Sequence, residues 1–229
     1  MPDIAENVQR VRERMARAAA RVGRDPERII LIGASKSRSV QEIQAAMAAG
    51  LTHFGENYVQ EARAKFEVLG QAVTWHLIGH LQTNKINAAL PIFEWVHTID
   101  SLRLAQALSQ RATARGRTVR VLIEVHTGGE ASKFGVEPEE TVEVAQAIAA
   151  LPGLQLAGLM TMPPWFEDPE QVRPFFRQVR HLAEEIAALG LIAGPEVVLS
   201  MGMSQDYEVA IEEGATMIRV GTALFGPRG

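Results

Sequence analysis

The feature that most constrains this chain is a repeated alternation of short apolar runs with amphipathic stretches. Strand-like runs fall at Ile29–Ala34, His53–Gly55, Thr74–Gly79, Trp95–Ile99, Val119–His126, Leu154–Thr161, Glu196–Ser200 and Thr216–Val220. Between them lie helical patterns near Val40–Ala49, Tyr58–Leu69, Thr83–Ala89, Leu102–Arg115, Pro138–Ala150, Glu170–Leu189 and Gln205–Glu213. Strict β–α alternation implies a parallel sheet with right-handed crossovers. Eight units predict closure into an α/β fold of the (βα)8 TIM-barrel type, with a doubly wound open sheet as the alternative. A further helix precedes the first strand. Ile4, Val8, Val11, Met15, Ala18 and Val22 recur at three- and four-residue spacing, and Gly23 with Asp25-Pro26 closes the pattern. This helix is expected to fill the gap between the last strand and the first. No linker or composition shift divides the chain, so residues 1–229 are read as a single domain with lean loops.

Composition narrows the function. The net charge of -4 argues against nucleic acid or an anionic membrane as a partner. The absence of cysteine excludes disulfides, thiolate zinc sites and cysteine nucleophiles. Met1 to Arg24 carry charge every few positions and lack the apolar core of a signal peptide, and no run approaches a membrane span. A cytoplasmic protein is expected. No Gly-x-Ser-x-Gly elbow, Walker-type loop or dinucleotide fingerprint is present. His76 and His80 flank strand three without metal-ligand spacing, and no metal site is assigned. His97 and His126 are read as barrel or rim residues with satisfied hydrogen bonds.

The residues that carry chemistry lie at the ends of the strands. Lys36 stands one residue past the first apolar run, in a chain with four lysines against nineteen arginines. A lysine at the end of a buried strand loses its proton more readily and becomes a nucleophilic amine that condenses with aldehydes. In this barrel type, phosphate commonly binds at the loops after strands seven and eight. Those loops read Ser200-Met-Gly-Met-Ser204 and Gly221-Thr222, with hydroxyls, glycines and free amides suited to an anion. The plainer reading is a helix cap by Ser204 and a tight turn at Gly202. Arg219 alternates with Ile218 and Val220, so it is expected inside the barrel, where an unpaired charge is too costly. It either pairs structurally, with Glu56 or Glu124, or faces a ligand's ring nitrogen. Asn57, after strand two, either donates to a ring oxygen or caps a helix, and Glu56 beside it also faces the mouth. Lys85 and Lys133 are candidate substrate contacts. An amine, an anion cradle and a buried guanidinium together point to pyridoxal phosphate.

At these residues the chain resembles the pyridoxal phosphate homeostasis protein family. The matching segments are Ala34-Ser-Lys36, His53-Phe-Gly-Glu-Asn-Tyr-Val-Gln-Glu61, Trp75-His-Leu-Ile-Gly79, Leu81-Gln-Thr-Asn-Lys85, Gly158-Leu-Met160, Leu199-Ser-Met-Gly-Met-Ser204 and Arg219-Val-Gly221 with Phe225-Gly226. The resemblance implies a barrel like the N-terminal domain of alanine racemase, the fold type III arrangement. It implies a Schiff base on Lys36, Arg219 at the pyridine nitrogen, and Ser200, Gly221 and Thr222 on the phosphate. It implies a monomer that buffers or supplies the cofactor to apo forms of the enzymes that use it, within vitamin B6 homeostasis, and no strong catalysis. Two segments depart from the family's pattern. Ser37-Arg38-Ser39 stands where Thr-Lys-Pro is common, and arginine cannot relay an aldehyde by transimination. Glu124-Val-His-Thr127 replaces a common Val-Asn pattern at the rim. The alternatives are an amino-acid racemase using pyridoxal phosphate, which needs an acid/base on each face, and a Schiff-base aldolase acting on a sugar phosphate.

Overall fold

In a computed structural model describing residues 3–128 and 134–227, eight parallel strands close in chain order. They are β1 (Ile30–Ala34), β2 (His53–Glu56), β3 (Thr74–Leu77), β4 (Trp95–Ile99), β5 (Val119–Val125), β6 (Leu154–Thr161), β7 (Val198–Ser200) and β8 (Met217–Val220). β8 pairs back onto β1, Ile32 lying opposite Arg219, which closes the barrel and excludes the open sheet. The helices are α1 (Ile4–Arg21), α2 (Val40–Ala48), α3 (Val59–Leu69), α4 (Ile86–Ala89), α5 (Leu102–Thr113), α6 (Thr141–Ala149), α7 (Arg173–Ala188), α8 (Tyr207–Glu212) and α9 (Thr222–Phe225). Among the described residues, no helix is long and apolar enough to cross a membrane.

Side-chain parity sorts the core into two layers. Along β8, Ile218 and Val220 pack outward with the helices, whereas Met217 joins Ile32, Trp95, Leu122 and Met160 in the small apolar cluster inside the barrel. α1 lies where the alternation places it, against α8 and α9. Arg14 and Arg21 bond Glu208 at 2.6 and 2.9 Å, and the Asn7 amide donates to the Leu224 carbonyl at 2.9 Å.

Two elements differ from the sequence reading. The stretch expected to be helical from Gln205 begins only at Tyr207, because the Asp206 carboxylate accepts the Met203 N–H at 2.6 Å and holds the intervening residues in a turn. The loop after β8 carries an additional one-turn helix, α9, stopped by Gly226 at φ 79°. Four residues are too few to register as a period.

The turn after β7 depends on one glycine. Gly202 has φ +95°, and a Cβ there would lie 2.6 Å from the Ala210 Cβ and 2.9 Å from the Tyr207 Cα. Its carbonyl accepts the Arg219 N–H at 2.9 Å, locking the β7 loop onto β8. Gly202→Ala is expected to destabilise the protein by about 1–3 kcal/mol through left-handed strain and overpacking, measured as a lower urea midpoint.

Candidate functional site

A cavity of ≈ 280 Å³ opens at the C-terminal ends of the strands, and its wall gathers Lys36, Asn57, Arg219, Gly221 and Thr222. Five of the six predicted site residues therefore meet there. The sixth, Ser200, does not line it. Its side chain is fully buried inside the barrel, where its hydroxyl meets Arg219 Nη1 at 2.6 Å and His97 Nδ1 at 2.9 Å. The hydroxyl on the cavity wall belongs instead to Ser204. Its Oγ accepts the Gly221 and Ala223 N–H groups, both at 3.2 Å, so it bridges the β7 and β8 loops and does not cap α8. Here the parity of a three-residue strand decides: the last residue of β7 points inward, and the glycine turn carries the next serine up to the rim.

Arg219 lies on β8, the strand paired beside Lys36's own. It is 4% exposed, and its guanidinium donates to the Ser200 carbonyl at 2.7 Å, to Ser200 Oγ, and to the Thr161 carbonyl at 2.8 Å. Those bonds use three of its five N–H groups and leave two. Burial pushes its pKa down to about 10, opposed by Asp206 and Glu124, so it stays charged at neutral pH. Of the two carboxylates proposed as structural partners, Glu124 acts through space, while Glu56 is committed elsewhere.

Glu56 belongs to a buried cluster behind the lysine loop and does not face the mouth. Lys65 Nζ donates at 2.7 Å to Glu56, to Glu61 and to the Ser35 carbonyl. The Ser35 hydroxyl donates to Glu56 at 2.5 Å, and burial pushes the Glu56 carboxyl up. Glu61 also accepts the Ser37 N–H at 2.5 Å, and Ser37 has φ 61°, the one non-glycine in the left-handed region among the described residues. The residue after Lys36 is thus held in an unfavourable backbone state by a carboxylate that Lys65 fixes. The i, i+4 spacing of Glu61 and Lys65 is the signal a sequence reading could have used. Arg38, where a second lysine is common, donates to the Phe225 and Gly226 carbonyls at 3.2 and 2.5 Å and ties the β1 loop to α9.

Among the described residues, Asn57 Oδ1 is buried without a hydrogen-bond partner, as suits a wall amide that takes its partner from a ligand. The opposite wall, Pro163-Pro164-Trp165-Phe166, was not singled out from sequence. Its Trp165 indole donates to Gln205 Oε1 at 2.5 Å, fastening it to the β7 loop. An adjoining hollow shares Asn57, Ile78 and Met162 and holds Lys85 and Glu124. His126 and Thr127 are rim residues, bonded to Glu137 at 3.1 Å and Thr161 at 2.8 Å. Lys133 lies outside the described residues.

An amine at the end of β1, a buried guanidinium on β8 and backbone amides at the β8 loop gather at one mouth of a closed (βα)8 barrel. Residues 3–229 match the family model described as alanine racemase, N-terminal domain. The pyridoxal phosphate homeostasis protein of Aquifex aeolicus is 45% identical over 224 residues, covering 97% of each chain. Among solved structures, PipY of Synechococcus elongatus with pyridoxal phosphate bound superposes with a TM-score of 0.84 at 35% identity, covering 97% of this chain and all of that one. Alanine racemase of Clostridium difficile, at 16% identity and a TM-score of 0.78, shares the fold over 60% of its own length. The chain belongs to the pyridoxal phosphate homeostasis protein family, on the barrel of the alanine racemase N-terminal domain.

Two outcomes test this arrangement. Lys65→Met leaves Glu56 and Glu61 without their cation and is expected to cost about 3–5 kcal/mol in urea unfolding, with much of the loss recovered by Glu56→Gln in the same chain. The second concerns the barrel interior, where His76 and His97 are fully buried and desolvation holds both well below the ordinary imidazole value of 6.5. Their unfolded forms then bind protons first. Stability should be complete above about pH 6.5 and fall as the pH drops below it, read as the urea midpoint between about pH 7.5 and about pH 5. A flat midpoint would mean that these rings are not buried neutral.

Proposed function

We propose that this protein binds pyridoxal 5'-phosphate as a Schiff base with Lys36 and acts as a carrier that buffers and supplies it. The observation that carries this reading is the placement of Lys36, Asn57, Arg219, Gly221 and Thr222 around one cavity. Lys36 is half-buried at the end of β1 and lines the cavity. Arg219, permanently a donor, faces the pyridine nitrogen and keeps it unprotonated, which weakens the ring as an electron sink. That chemistry suits holding the cofactor more than reacting through it. The Gly221 and Ala223 amides, with the Ser204 hydroxyl turned from acceptor to donor, receive the phosphate along with Thr222. Asn57 meets the ring hydroxyl. Ser200 acts on the ring side of the site, by holding Arg219.

Support for a carrier over a racemase comes from the tyrosines. Two-sided proton transfer needs a second acid/base. Tyr207 is buried on α8 beneath the Arg14 guanidinium, 5.3 Å from its ring centroid, and Tyr58 is exposed beside the adjoining hollow. Arg38, engaged with α9, cannot form an imine, so it would not relay the aldehyde by transimination. The reading is of one barrel domain, 1–229, working as a cytoplasmic monomer within vitamin B6 homeostasis, with apo-enzymes as its partners.

Protein incubated with pyridoxal phosphate, reduced with borohydride and digested should carry the label on Lys36, and Lys36→Ala should abolish the visible band. Lys65 is expected to stay unlabelled because its amine is buried among carboxylates. Label spread over Lys65, Lys85 and Lys133 would refute the site. Transfer to an apo-enzyme should outpace a slow-release control, and equal rates would remove directed delivery.

A further inference from the structure

The barrel interior holds a polar row that the cofactor site does not use directly. His53 Nδ1 lies 2.9 Å from His76 Nε2, His76 Nδ1 lies 2.9 Å from His97 Nε2, and His97 Nδ1 lies 2.9 Å from Ser200 Oγ. Ser200 Oγ meets Arg219 Nη1 at 2.6 Å. The row starts on the first residue of β2, at the floor of the barrel, and climbs through β3, β4 and β7 to β8 at the mouth. His76 and His97 are fully buried, and Trp95 stacks on His76 with centroids 5.8 Å apart. Arg120 lies over the other part of this floor, 5.2 Å from the Trp95 ring, so a second positive charge on the imidazoles would face it.

The chemistry fixes which way each bond runs. A guanidinium can only donate, so Ser200 Oγ accepts from Arg219. The serine has one hydrogen, and His97 Nδ1 is its remaining neighbour. If it donates there, His97 carries its hydrogen on Nε2 and donates to His76 Nδ1. His76 then carries its hydrogen on Nε2 and donates to His53 Nδ1, and His53 Nε2–H faces the half-exposed floor near Glu94. The reverse order would aim both Arg219 and His97 N–H groups at Ser200 and strand the buried hydroxyl hydrogen, a cost of roughly 1–3 kcal/mol.

We propose that His53, His76 and His97 form a one-way hydrogen-bond chain that draws the Ser200 hydroxyl hydrogen toward the barrel floor, so that the serine's lone pairs face Arg219 and position its guanidinium. The three histidines are positioning residues. They touch no ligand, and they act through Ser200 on the group that faces the cofactor. The inference rests on the proposed cofactor site for its consequence, while the chain itself is a property of the protein alone.

The order is read directly from imidazole nitrogen-15 shifts of labelled, cofactor-free protein at neutral pH. His53, His76 and His97 should all be Nε2–H tautomers, and an Nδ1–H tautomer at His76 or His97 would overturn the chain. His53→Leu removes the terminal acceptor at the floor and should reverse His76 and His97 to Nδ1–H. His53→Gln keeps an acceptor there and should preserve the order. Pyridoxal phosphate affinity, followed by absorbance, should weaken about tenfold in His53→Leu, equivalent to one charge-assisted hydrogen bond, and return in His53→Gln. Reversed tautomers with unchanged affinity in His53→Leu would overturn the positioning role. Failure of the unaltered protein to label at Lys36 would refute the cofactor site separately, with the nitrogen shifts still deciding the chain.

Discussion

A guanidinium that cannot shed its charge sits inside the barrel, and much of the interior is arranged around that constraint. An isolated charge there would be far too costly, so the ends of β6 and β7 turn polar atoms toward Arg219. Thr161 on β6 and Ser200 on β7 supply acceptors, and Ser200 in turn engages His97 on β4. The apolar interior residues Ile32, Leu122, Met160 and Met217 fill what remains. The barrel centre is therefore half a hydrocarbon core and half a polar seam, and the seam ends at the cavity floor.

The lysine is fixed by different means. Behind it, Lys65, Glu56 and the part-exposed Glu61 form an ionic knot that holds the Ser37 backbone left-handed. Beside it, Arg38 clasps the carbonyls that end α9. Both devices are built on the loop after β1 and reach to other units of the barrel, α3 in one case and α9 in the other. The site is thus a property of closure: its parts come from opposite ends of the sequence and meet because β8 pairs with β1.

What could be read from the sequence follows from periodicity. The β–α alternation gave eight strands whose observed bounds coincide at ten of sixteen ends and differ by one or two residues at the other six, and parity along Met217-Ile-Arg-Val220 placed Arg219 inside. Lys36 followed from its position after a strand. At β7, three residues and a glycine turn decide which serine points inward, so periodicity does not separate Ser200, inside the barrel, from Ser204 on the cavity wall. The histidines carried a signal that reading them singly could not reveal. They are spaced 23 and 21 residues apart, about one barrel unit each, which brings successive inward positions side by side. α9 and the Pro163–Phe166 wall have no period at all, since their shape is set by what they lean on.

The seating of α1 bears on how the chain is made. Its partners, Glu208, Glu212 and Leu224, lie about two hundred residues downstream, and the open edge of β1 waits for β8 over a similar separation. During synthesis β2 and α2 can cover one side of β1 and α1, while the side facing β8 and α8 stays open. The ion pairs between α1 and α8 are therefore among the last contacts to form.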